Sequence, residues 1–153
     1  MPHTTPPTAP LTATPLTLST LEAAIRASWA EDTSEPSDLT RIPWTPDNPA
    51  WGHCDITALV AHDFLGGELM RGEVYGASGR QEGYHWWNRL PGGLELDLTR
   101  EQFQHGERVT GGEPVPRPTA HPFRRAETYD VLRARVLTRL AGRPGVSAAG
   151  RSR

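Results

Sequence analysis

The sequence predicts an α+β domain: helices packed on a small antiparallel sheet. Apolar residues recur at helical spacing in two early stretches, short aromatic and branched runs separated by glycine follow, and an amphipathic stretch closes the fold. There is no internal repeat, so one layered unit is expected.

Leu18-Ser19-Thr20-Leu21-Glu22 reads as a helix start, with Ser19 as N-cap and Glu22 reaching back to its amide. Leu21, Ile25 and Trp29 then share a helical face, so the first helix is expected over about residues 20–30. The polar stretch that follows holds Pro36, Pro43, Pro46 and Pro49 and reads as an irregular loop pinned to the core by Trp44 and Trp51. Cys54 to Leu65 carries Ile56, Leu59, Val60 and Phe64 on one side and stops at Gly66-Gly67, a second helix. Strands are expected over Glu68–Tyr75, Tyr84–Leu90 and Leu94–Leu98, the last two forming a hairpin through Pro91-Gly92-Gly93. Residues 104–122 are rich in Gly and Pro and read as loop. Glu127–Leu140 reads as an amphipathic helix with Tyr129, Leu132, Val136 and Leu140 inward and arginines outward.

The apolar fraction of 36% is low for 153 residues, and the ends explain part of the deficit. Residues 1–17 are mostly Pro, Thr and Ala, and 142–153 hold one large apolar side chain, so both read as disordered tails around a folded unit of residues 18–141. A formal net charge of −2 gives no general attraction to nucleic acid or anionic lipid. The start lacks the basic and apolar segments of a secretory signal, and no window approaches a membrane span, so a cytoplasmic protein is expected. A single cysteine cannot form an internal disulfide, which suits a reducing compartment and leaves Cys54 free to react. Nothing calls for a cofactor, and the oligomeric state is left open.

Trp51-Gly52-His53-Cys54 places the cysteine at a helix N-terminus, where unpaired amides and a nearby histidine are expected to lower a thiol pKa. Gly52 lets the backbone approach a ligand, and first-turn amides are available to an oxyanion. With a three-residue hairpin loop, Leu90 faces Leu94, Trp87 faces Asp97, and His85 and Asp97 become diagonal neighbours on one face; a two-residue loop would separate them. The expected constellation is therefore Cys54 as nucleophile, His85 as base and Asp97 as orienting carboxylate. Each has a plainer reading. Cys54 suits a small apolar position, His85 a packed aromatic strand, and Asp97 a cap for a short helix near Arg100. A metal site of His53, Cys54, His62 and His85 is less attractive, because His53 and Cys54 point apart and His62 lies two turns along the helix. His62 and Asp63 read as surface residues.

The segment from Asn48-Pro49-Ala50-Trp51-Gly52-His53-Cys54 through Thr57-Ala58-Leu59-Val60 to Gly66-Gly67 resembles the YunG-like family of small bacterial proteins. So do His85-Trp86-Trp87-Asn88-Arg89-Leu90 with Gly93, and Asp97-Leu98-Thr99-Arg100 with Gln102-Phe103. More remotely, Gly-x-Cys, then His-Trp, then Asp-x-Thr is similar to the order of cysteine, histidine and aspartate in transglutaminases and papain-like enzymes. That similarity implies a papain-like or transglutaminase-like domain with Cys54 as nucleophile, His85 as base and acid, and Asp97, or Asn88 in its place, as orienting group. Relatives carry glutamine before the cysteine, and the resemblance implies that His53 takes over its oxyanion role.

The function expected is a cysteine hydrolase or acyltransferase acting on an amide, a peptide bond or a glutamine side chain, with Trp44, Trp51 and Trp86 available to wall a groove. The competing expectation is an inactive binding module of the same fold, engaging partners through the arginines of the last helix, including Arg133 and Arg135.

Overall fold

The computed structural model describes residues 15–142. The tails expected over 1–17 and 142–153 lie outside these residues apart from 15–17 and Gly142. Helix α1 spans Leu18–Ser28 and starts earlier than the sequence suggests, because Thr17 rather than Ser19 is the cap: its hydroxyl accepts from Thr20 N at 3.1 Å. The stretch expected to be irregular contains a 3₁₀ turn, Glu31–Thr33, and a one-turn helix α2, Pro36–Leu39, with proline at its start. Helix α3 spans Cys54–Leu65 and ends at Gly66, whose φ of +67° lets the chain turn out. Helix α4, Ala126–Ala141, closes the fold.

Strands β1 (Glu68–Tyr75) and β2 (Gln81–Arg89) form the central antiparallel pair, and β3 (Glu95–Leu96) borders β2. The 104–122 segment is not all loop. Strands β4 (Arg108–Val109) and β5 (Glu113–Val115) both pair with the other edge of β1. They are too short for an alternating pattern to show, and Gly111, Gly112 and Pro114 masked them as loop. Among the described residues no helix is long and apolar enough to cross a membrane.

Helices α1, α3 and α4 pack on one another, with Leu21, Ile25, Ile56, Val60, Leu132 and Val136 buried between them. Each such side chain contributes about 1.5–3 kcal/mol on burial. The indole N–H of Trp29 donates to Thr57 Oγ1 at 2.9 Å, joining the end of α1 to α3. Helix α3 lies against the face of β2 that carries Trp86 and Asn88, and Asn88 Nδ2 donates to Ala58 O at 2.9 Å.

Leu90 N donates to Leu94 O at 2.7 Å, with Arg89 opposite Glu95 and Asn88 opposite Leu96. This is the three-residue-loop register. It leaves the backbone groups of Tyr84 and Trp86 pointing to the β3 side, but β3 ends at Leu96, so that edge of β2 is open to another partner. Cys54 occupies it.

Arg125 fixes the start of α3. It is 6% exposed, and its guanidinium donates to Thr33 O, Gly52 O and Asp55 Oδ1, with Glu35 beside it. Gly52, at φ +74°, lies against the same turn: a Cβ there would come within 2.2 Å of Ser34 Oγ and 2.7 Å of Glu35 N. Gly52→Ala is expected to lower the unfolding free energy by at least about 1–3 kcal/mol from backbone conformation alone. Urea denaturation measures this, and an unchanged midpoint would refute the tight seating of α3 on the 34–35 turn.

Candidate functional site

His85 sits on the face of β2 opposite α3 and is 1% exposed. Its Nε2 is 2.7 Å from Asp97 Oδ2, as the hairpin parity predicts. Asp97 Oδ1 accepts from Thr99 N at 3.2 Å, so one carboxylate both orients the imidazole and starts the turn leading to Arg100–Gln102. Asp97 is not the cap of the Arg100–Gln102 turn, whose preceding residue is Thr99; its second oxygen instead holds the Thr99 N–H. Trp87 stacks against the imidazole at 5.7 Å between centroids, and Phe103 meets it edge-on at 4.7 Å. With Nε2–H donated to a carboxylate, Nδ1 is the ring's free lone pair. Gln102 Nε2 lies 2.8 Å from it and donates there.

Cys54 opens α3 at the uncovered edge of β2. Its Sγ makes a long contact of 4.0 Å to Tyr84 O. The thiol is half-buried. Contrary to the sequence expectation, its pKa is pushed up: burial is the main cause, and the neighbouring Asp55 carboxylate adds to it. The Trp86 and Gln102 donors oppose the shift without overcoming it. Among the described residues no hydrogen bond joins Cys54 directly to His85; Gln102 donates to His85 Nδ1 and lines the same narrow space as Cys54. Sequence reasoning gave Gln102 no role, although it lies one turn beyond Thr99, whose N–H Asp97 holds, a signal that the segment folds back toward the hairpin.

The remaining candidates separate. His53 does not face the site: its Nε2 is 2.8 Å from Thr33 Oγ1, its Nδ1 is 2.9 Å from Trp51 O, and it is fully buried. Burial lowers its pKa to about 4, so it is neutral and committed to holding the chain before α3. That corrects the expectation of an oxyanion donor. Asn88 is committed to α3 through Ala58 O and is no substitute for Asp97. Trp51 is 3% exposed, with its N–H on Ile42 O, and edges the space beside Cys54; Trp44 is pinned to Pro49 O instead. Gly52, Cys54 and Trp86 line a cleft of about 350 Å³ with Asp38, Glu82 and Tyr84. His85, Asp97, Trp87 and Phe103 line a separate depression of about 620 Å³ on the opposite face. His62 bonds Gly67 O and Arg117, and Asp63 meets Arg117, Arg133 and Tyr129, so neither is an idle surface residue. Among the described residues no three His, Cys, Asp or Glu side chains group to hold a metal.

The fold and site define a small single-domain α+β protein whose one cysteine opens a helix at the edge of an antiparallel sheet bearing a buried His–Asp pair. The chain belongs to the YunG family, whose model, described as YunG protein, matches residues 17–141. It is 32% identical over 80 residues to the Uncharacterized protein YunG of Bacillus subtilis (strain 168), a match covering 52% of this chain and 57% of that relative. The aligned stretch thus spans little more than half the length of that relative. No solved structure matches the chain.

A histidine held neutral in the fold binds its proton more readily when unfolded. His53 therefore stabilises the fold fully above its unfolded value of 6.5, and the contribution is lost as pH falls from there toward about 4. Urea unfolding of the wild type is expected to lose on the order of 3 kcal/mol from this residue between pH 7 and 4. The loss should be much smaller in His53→Gln; parallel pH profiles for the two proteins would contradict the assignment.

Proposed function

We propose that this chain is a cysteine hydrolase or acyltransferase with a papain-like or transglutaminase-like arrangement, acting on an amide, either a peptide bond or a glutamine side chain. Cys54 is the nucleophile, His85 the base and then the acid, and Asp97 the orienting group. The observation that carries this reading is the 2.7 Å bond between His85 and Asp97, on a buried ring whose second nitrogen accepts from Gln102. Sequence parity and the folded hairpin register agree on that pair.

In the reaction the thiol proton passes to His85 Nδ1 and the sulfur adds to the amide carbonyl carbon. Charge develops on the carbonyl oxygen. The backbone amides of Cys54 and Asp55, which donate to no backbone carbonyl among the described residues, lie at the positive end of α3 to receive it. The C–N bond then breaks as His85 returns its proton to the leaving nitrogen, and a thioester remains on Cys54. Water in hydrolysis, or an amine in transfer, attacks the thioester carbon and gives its proton to His85; the sulfur leaves as thiolate and is reprotonated. Substrate reaches the sulfur from the cleft walled by Trp86 and Tyr84.

A second reading, an inactive binding module of the same fold, is favoured by the raised thiol pKa. The arginines of α4 add little to it, because Arg135 is paired with Asp32 and Arg133 faces Asp63.

With p-nitrophenyl acetate as acyl donor, intact-mass analysis is expected to find an acetyl group on Cys54, absent in Cys54→Ala. Its formation should slow by about 10²–10⁴-fold in His85→Ala. Cys54 acetylation that proceeds equally fast without His85 would leave the binding module as the better reading.

A further inference from the structure

The buried Gln102 amide occupies the one nitrogen that the chemistry needs. Gln102 is 3% exposed, and its Nε2 donates to His85 Nδ1 at 2.8 Å. Its backbone is held at both ends: its N–H donates to Thr99 O at 3.0 Å, and its carbonyl accepts from Asn48 Nδ2 at 3.3 Å. Because Asp97 takes the Nε2 proton, Nδ1 is the only basic site left on the ring, and a carboxamide N–H is far too weak an acid to relay a proton from sulfur. While this bond stands, the thiol cannot pass its proton to His85.

We propose that Gln102 is a positioning residue that latches the site closed, its carboxamide holding the one His85 nitrogen that the Cys54 thiol would use. The inference rests on the cysteine-enzyme reading and adds its regulation. The latch sits on a 3₁₀ turn of three residues, tied down from outside by the surface pair Arg26–Glu101. Cys54, Gln102 and Phe103 line a narrow space that shares Cys54 and Tyr84 with the cleft by which substrate arrives, so an amide passing the sulfur into it meets the Gln102 side chain. Displacing it frees Nδ1, the thiol proton crosses to the ring, and the thiolate–imidazolium pair forms, with Nε2–H still on Asp97. The basal reactivity of the resting protein is that of the fraction already unlatched.

The direction of one shift separates this role from the obvious alternative. If Gln102 simply donates to the sulfur, shortening it removes a stabiliser of the thiolate and the thiol pKa rises; if it is a latch, shortening it gives the thiol a base and the pKa falls. Iodoacetamide labelling of Cys54 across pH reads this in Gln102→Ala and Gln102→Ser, with thermal melting as the check on folding. The expected result is an apparent pKa lower by a unit or more, hence about ten-fold or faster labelling at neutral pH. Adding His85→Ala should remove the gain. Gln102→Glu, which keeps the span and adds negative charge, should label more slowly than wild type. Unchanged or slower labelling in the Ala and Ser variants, a gain that survives loss of His85, or loss of the fold in both variants would each overturn the latch. Failure of the cysteine-enzyme reading has a different signature: Cys54 reactivity independent of His85 in wild type and variants alike.

Discussion

Arg125 is the side chain on which the placement of the site depends. Helix α3 has to begin against the open edge of β2, and the chain before it comes from a proline-rich stretch with little regular structure of its own. One buried guanidinium spans Thr33 O, Gly52 O and Asp55, with Glu35 alongside, so the turn after α1, the start of α3 and the start of α4 are drawn to one point. Arg125 itself adopts a left-handed backbone at φ +63°, a conformation a non-glycine residue holds only where its surroundings over-determine it. The pairing also decides the charge beside Cys54. Burial raises the Asp55 carboxyl and Arg125 pulls it back; burial acts on Glu35 in the same direction, but Arg125 and Arg124 more than offset it. Without Arg125, Cys54 would face uncompensated carboxylates, and buried charge left alone is strongly destabilising.

The second constraint is the length of the hairpin loop. Three residues between Leu90 and Leu94 put His85 and Asp97 on the face away from α3, while the early end of β3 leaves Tyr84 and Trp86 free to meet Cys54. Cys54 and His85 therefore come to the strand from different sides, one at its edge and one on its far face. The imidazole nitrogen that Asp97 leaves accepts from Gln102. The thiol pKa is raised on the edge side by burial and Asp55, while on the far face the imidazole is oriented by Asp97.

What the sequence made legible was local or periodic. The start of α3 at Cys54 and its stop at Gly66-Gly67, the inward face of α4 and the parity of the hairpin follow from spacing alone. The misreadings have physical causes. Ser19 satisfied the capping-box pattern, but Thr17, two residues earlier, provides the hydroxyl in place. The pairings of β4 and β5 are too short to carry a period. Arg125 gave no signal because its partners lie 70 and 92 residues away in the chain. The helix-terminus argument for Cys54 was sound as electrostatics and lost to burial and Asp55, neither of which spacing reveals. His53 was misassigned for adjacency: a neighbour in sequence to a nucleophile, it turns its ring to Thr33 and Trp51 instead.

His85 has Asp97 on one ring nitrogen and Gln102 on the other, which requires the proton on Nε2. Long-range proton–nitrogen correlation spectra of uniformly ¹⁵N-labelled protein at neutral pH report this directly. The account predicts that His85 carries its proton on Nε2, with Nδ1 shifted as a hydrogen-bond acceptor. A proton resident on Nδ1 would contradict it, since the ring would then have no lone pair to offer Gln102 or the thiol.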